Sequence, residues 1–208
     1  RHAIIRRRHL TVALELGLLE QVQPLWEPLF ERLAGILEGM GLLWEASARA
    51  RDGALAIGET LSAHLVALLL AKEGLPARFQ EVREVMRTDA RHGRALPDLV
   101  AIRSASEGWR KDILGGSILV TQGFLGSAPD GATTTLGRGG SDTSATLLGE
   151  ALGADEVQIW TDVDGVLSAD PSLVTNARPI PAMSLREASA LSAFGAKVLH
   201  ADSLAPLA

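Results

Sequence analysis

Apolar residues recur at helical spacing along the amino-terminal part of the chain. Leu10, Leu14, Leu18 and Leu19 form one set, and Leu29, Leu33, Ile36 and Leu37 a second, which predicts stacked helices from His9 to about Arg51. Gly58 and Glu59 then open a further apolar helix reaching about Glu73, with Gly74 and Pro76 as its stop signal. On that reading Glu59 lies in the first turn, where a carboxylate suits the helix dipole. Beyond Pro76 the period changes. Short strands are predicted at Arg78 to Val82 and, buried, at Ser117 to Gln122, with a polar stretch from Thr88 to Pro97 between them. A loop from Gly123 to Gly140 holding six glycines follows, then a helix from Ser141 to Leu152, a strand from Glu156 to Thr161 and a last helix from about Ser184 to Leu191. Strand, glycine loop, helix and strand make a βαβ unit, so the expected class is α/β with a mainly parallel sheet and ligands gathered at the carboxyl ends of its strands.

Composition sharpens this picture in a few places. The chain has 208 residues, of which 47% are hydrophobic, enough for a sizeable core in one large or two small domains. It has no cysteine, so neither a disulfide framework nor a thiolate zinc site is available, and an intracellular setting is favoured. The five histidines are too scattered to suggest a metal cluster. A net charge of -5 does not favour nucleic acid as main partner, and Arg6 to Arg8 read as the solvated start of a helix. The longest aliphatic run, Leu65 to Ala71, is far short of the roughly 20 apolar residues that cross a bilayer, so no membrane span is expected. The start, RHAIIRRRHL, lacks the features of a secretory signal and reads as a cut within a longer gene.

The chemistry concentrates in the glycine loop. Gly137, Gly139 and Gly140 let the backbone turn tightly and approach a ligand, and the helix that follows presents free N–H groups to an anion. Arg138 is suited to grip a carboxylate through two parallel hydrogen bonds, and Asp142 to accept from an ammonium group. The two together match the ends of a free amino acid. The same residues also serve an ordinary turn with Asp142 as helix cap. Upstream, Thr133 to Thr135 supply hydroxyls and Phe124 an apolar wall or a core contact. Downstream, Thr161, Asp162, Asp164 and Asp170 follow a strand and suit a ribose or a water-bound metal, or simply an Asp-rich turn. Lys197 is placed to reach a phosphate or to remain solvated.

Taken in order, RHL at Arg8 to Leu10, the pair Gly58 and Glu59, GFLG, TTTLGRGGSD, WTDVDGV, ADP and FGAKVLH resemble the aspartate kinases of the amino acid kinase superfamily over nearly the whole chain. The resemblance implies a three-layer αβα sandwich around a mainly parallel sheet, missing its first strand. A helical part would span about residues 1–75 and a ligand-binding α/β part about 76–208 of one partial catalytic domain, 1–208. It implies transfer of the ATP γ-phosphoryl group to the side-chain carboxylate of L-aspartate with Mg2+, in a cytoplasmic enzyme whose parent is a homodimer. The implied aspartate site is Glu59, Phe124, Arg138, Gly139, Gly140, Ser141 and Asp142, with Arg138 and Asp142 as the catalytic grip. The implied ATP site is Thr161, Asp162, Leu167, Ser172, Lys197 and Val198. Leu167 stands where the family has Tyr, Ser172 where it has Arg, and Ala201 where it has Pro. No segment matches the family's KFGGTS-like lysine strand or its carboxy-terminal ACT modules, which implies a kinase piece that is weak or inactive alone.

Overall fold

The computed structural model describes residues 2–161, 165–170, 173–193, 201–204 and 206. Two helices, α1 (His2–Glu15) and α2 (Leu19–Leu43), are joined by a short turn and run antiparallel, because Arg6 bonds to Glu27 while the earlier His2 meets the later Phe30. Their apolar faces close on α3 (Ala48–Lys72) around Trp26, Phe30, Ile57 and Leu61. This is the stacked-helix part expected from the leucine spacing, although Leu14 of that pattern is exposed.

Helix α3 departs from expectation at its start. Ser47 caps it, its Oγ accepting from the Ala50 N–H at 3.2 Å, so the helix is already running at Ala48 and Gly58 and Glu59 lie in its interior. An interior glycine costs about 1 kcal/mol relative to alanine, which a long packed helix tolerates. Glu59 is therefore too far from the amino terminus to feel the dipole. By length and composition α3 also meets the requirements of a membrane-crossing helix. Its buried Asp52 and Thr60, however, hydrogen-bond to partners from other parts of the fold, and it packs against α2, β1 (Ala77–Phe79), β2 (Ile118–Val120) and β4 (Thr133–Thr135). It is the central core helix.

Strands β1 and β2 pair in parallel, Ala77 opposite Ile118. Between them lie a 3-10 turn at Val82–Glu84 and the short helices α4 (Leu99–Ala105) and α5 (Glu107–Leu114). The glycine loop is not featureless. It contains an antiparallel hairpin of β3 (Leu125–Ser127) and β4, turning through Pro129, Asp130 and Gly131, where the Asp130 side chain accepts from the Ala132 N–H at 2.9 Å. Arg87 runs parallel beside Ser127, so the segment after the 3-10 turn extends this second sheet. Helix α6 (Gly140–Leu152) follows β4 and covers a core of Val82, Met86, Ile102, Trp109, Leu125 and Leu147. Further on are α7 (Leu185–Ala193) and α8 (Ala201–Leu204).

The segment from Glu156 to Thr161, expected as the closing strand of the βαβ unit, forms no ladder among the described residues. A strand exists only where a neighbouring edge takes its hydrogen bonds, and no described strand lies alongside. Val157 instead packs on Gly149, where an added Cβ would sit 2.3 Å from Val157 Cγ2.

Candidate active site

The carboxyl end of β4 leads into Leu136, and two backbone conformations closed to most residues follow at once. Gly137 (φ +83°) and Gly139 (φ +68°) flank Arg138 and turn the chain into α6. Gly139 is the residue before the helix and no side chain caps it, so Asp142 is not the cap but a first-turn carboxylate. Among the described residues no acceptor takes the backbone N–H of Ser141 or Asp142. Arg138 is exposed, and no ion pair ties it or Asp142 to another described residue. A helix start with free donors, a guanidinium on one side and a carboxylate on the other is an amphoteric cradle suited to a zwitterion.

Phe124 closes the cradle. It has φ +69°, a left-handed conformation costly for a bulky residue. Three contacts hold it there. Its N–H donates to Ser144 Oγ at 2.9 Å, its carbonyl accepts from Leu136 N–H at 2.9 Å, and its ring lies so close to Gly140 that a Cβ there would be 2.6 Å from Cδ2. Gly140, already inside α6, is thus glycine for a packing reason, unlike Gly137 and Gly139, whose backbone angles require it. Ser144 also donates to the Gly140 carbonyl at 2.8 Å, so one buried hydroxyl joins both walls. Ser144→Ala is expected to lower stability by about 1–3 kcal/mol in urea unfolding, because the Phe124 N–H loses its partner.

Glu59 joins this corner through its neighbour. Thr60 Oγ1 accepts from Gln122 Nε2 at 3.1 Å, and Gln122 directly precedes Gly123 and Phe124. Gln122 also accepts from Val82 N–H at 2.9 Å and donates to Glu81 at 3.1 Å, while Arg83 bonds both Glu81 and Thr133. Burial raises Glu81's carboxyl affinity for protons, but the hydrogen bonds and charge of Arg83, with the Gln122 bond, hold its pKa below the ordinary value. Glu59 has no such partner among the described residues, and burial raises its pKa. A raised carboxyl pKa makes the folded state bind its proton more tightly than the unfolded one. Glu59's contribution is therefore full below the unfolded pKa and is lost as pH rises through the folded one. Glu59→Gln is expected to flatten the fall in thermal stability across that interval above the ordinary carboxylate range, read as Tm against pH.

The residues expected on the nucleotide side are less gathered. Thr161 is exposed at the end of the segment after α6, and Leu167 forms an antiparallel bridge with Pro179. Asp162, Asp164, Ser172, Lys197 and Val198 lie outside the described residues. Gln122 and Ser144, which brace this corner, were missed by sequence reasoning. Ser144 had a usable signal, four residues after Gly140 and hence on the same helix face. A separate open groove of about 580 Å³, lined by His2, Leu37, Met40 and Trp44, lies at the far end of α2 and carries no comparable set of groups.

The chain as a whole has relatives among known proteins. The sequence profile of the amino acid kinase family matches residues 12–208. The chain belongs to that family. It is 42% identical over 181 residues to the lysine-sensitive aspartokinase 3 of Escherichia coli, covering 85% of this chain and 40% of that protein. It is 41% identical over 203 residues to an aspartokinase of Chlamydia trachomatis, covering 97% of this chain and 44% of the relative. Among solved structures, E. coli aspartokinase III in complex with aspartate and ADP superposes with a TM-score of 0.92 at 38% identity, over 99% of this chain and 45% of that one. Its complex with lysine and aspartate gives a TM-score of 0.87. The chain is an α/β protein with the amino acid kinase fold, and it spans less than half the length of these relatives.

Proposed function

We propose that the whole protein phosphorylates the side-chain carboxylate of L-aspartate with ATP, giving 4-phospho-L-aspartate as the first step towards lysine, threonine and methionine. The observation that carries this reading is the cradle at the start of α6, where Arg138, the free N–H groups of Ser141 and Asp142, and the Asp142 carboxylate stand around one turn. Arg138 would hold the α-carboxylate, Asp142 the ammonium, and Glu59, Phe124, Gly139, Gly140 and Ser141 the remaining wall. ATP would lie against Thr161, Asp162, Leu167, Ser172, Lys197 and Val198. Similarity to an aspartokinase solved with aspartate and ADP supports both placements.

In the reaction an oxygen of the substrate's side-chain carboxylate attacks the γ-phosphorus, and the bond to the β–γ bridging oxygen breaks in line, releasing ADP. Little covalent help is required of the protein; alignment and positive charge carry most of the catalysis. Arg138 and Asp142 serve alignment by fixing the amino-acid end while the side-chain carboxylate points to the nucleotide. Mg2+ is proposed as the nucleotide's companion. Phosphate oxygens and water would supply much of its coordination, as is usual for a nucleotide-bound Mg2+. The proposal extends to a cytoplasmic homodimer, with a helical part to about residue 75 and the ligand-binding part from about 76.

Calorimetry with L-aspartate, L-glutamate and L-asparagine tests the site. Saturable binding that prefers aspartate is expected, and equal or absent binding of all three removes the substrate assignment. ATP-dependent aspartyl hydroxamate formation by the full-length protein tests the chemistry. Binding without turnover there would instead support a non-catalytic amino-acid-binding module, and turnover with another acceptor would reassign the substrate.

A further inference from the structure

Asp52 is the one carboxylate on α3 that the site does not use, and it is 1% exposed. A buried carboxylate is tolerated only where its lone pairs are filled. Here Oδ1 accepts from Thr135 Oγ1 at 2.7 Å, and both oxygens accept from the Gly93 N–H, at 3.2 and 3.0 Å. His92 Nδ1 lies 2.9 Å from Oδ2, placed to donate. These partners are not scattered. Thr135 ends β4, two residues before Gly137, and its carbonyl accepts from Ala95 N–H at 2.8 Å. Gly93 backs the same turn, since a Cβ on Gly137 would stand 3.2 Å from the Gly93 carbonyl oxygen. The strand that leads into the Arg138 turn and the loop on which that turn rests are thus both fastened to one carboxylate on the core helix. Asp52 and Glu59 are seven residues apart, two helical turns, and so share a face of α3.

We propose that Asp52 is the positioning residue of the Gly137–Gly140 turn, acting on the amino-acid ligand only through the placement of Arg138. The consequence for ligand binding rests on the aspartate-site reading; the consequence for the turn does not. The helix face carrying Glu59 and the turn carrying Arg138 are then held in register through Asp52, beside the Thr60–Gln122 bond that ties α3 to Phe124, and loosening the Asp52 clamp shifts the turn without removing either group.

Two measurements on the whole chain test this with Asp52→Asn, Thr135→Val and Thr135→Ser, and with Phe30→Leu as a control that weakens the distant helical core. Amide exchange is followed at Ala95, Leu136 and Gly140, which are hydrogen-bonded at 2.8, 2.9 and 3.0 Å. In Asp52→Asn and Thr135→Val these amides are expected to exchange about tenfold faster and L-aspartate to bind about tenfold more weakly, as for loss of one charged hydrogen bond. Thr135→Ser, which keeps the hydroxyl, should restore both. Phe30→Leu should lower Tm without changing either. Exchange in Asp52→Asn or Thr135→Val no faster than in Phe30→Leu overturns the proposal, and Thr135→Val decides alone if Asp52→Asn does not fold. A wild-type chain that binds no aspartate counts against the substrate reading, while the exchange rates still decide the clamp.

Discussion

Arg138→Ala is expected to weaken L-aspartate binding by about ten- to 100-fold, the loss of a charge-assisted contact of about 1.5–3 kcal/mol, while leaving stability almost unchanged. The split follows from how Arg138 is held. Its backbone is fixed between two glycines with φ +83° and +68°, so the position survives the substitution. Its side chain is exposed and forms no ion pair among the described residues, so the fold does not depend on it. Arg138→Lys should recover only part of the affinity, because an ammonium offers a point charge where the guanidinium offers two parallel donors. Asp142→Asn is the companion variant at the ammonium end. Calorimetry checks all three; unchanged affinity in both Arg138→Ala and Asp142→Asn would separate this turn from the amino acid altogether.

Trp26→Ala should produce the largest loss of stability, about 3–5 kcal/mol in urea unfolding. The indole is fully buried between α1 and α3, edge-on to Phe30 at 6.2 Å and to His9 at 6.0 Å. Its Nε1 has no hydrogen-bond partner among the described residues. Trp26→Phe therefore removes no hydrogen bond, only area, and should cost well under half as much as alanine. A phenylalanine variant as unstable as the alanine one would mean that the indole nitrogen is satisfied after all. Since whole domains retain only about 5–15 kcal/mol, the alanine variant puts a large share of the total at risk. The cradle rests on the other core cluster, around Met86, Leu125 and Leu147, so any aspartate binding by the folded fraction should be preserved.

The glycine turn was legible because its signals are local. Glycines at 137 and 139 are required by the backbone angles themselves, Arg138 is aimed by its two neighbours, and Asp142 falls in the first turn of α6 by simple counting. The leucine repeats gave the helices for the same reason, since helical hydrogen bonds and helix faces are set within a few residues. Two further local signals were present but outweighed. Ser47 was a helix cap, yet the Gly58–Glu59 pair drew the boundary ten residues too late, at Gly58 instead of Ala48. Pro129 to Gly131 was a hairpin turn, yet the glycine-rich surroundings hid the β3–β4 pair.

The rest depended on partners distant in sequence. Glu156 to Thr161 has strand-like residues, but a strand is completed by a neighbour's edge, which no periodicity supplies. Phe124 keeps its left-handed backbone only because Ser144 and Leu136 bond it and Gly140 leaves room. Glu59 owes its raised pKa to burial in mid-helix rather than to a helix end. Asp52 looks like any helical aspartate until Thr135, 83 residues later, returns to meet it. From its sequence alone the chain was an α/β protein with an amphoteric glycine turn; the strength with which that turn is held was decided by hydrogen bonds between segments that only folding brings together, because a buried carboxylate must find its donors wherever the tertiary structure places them.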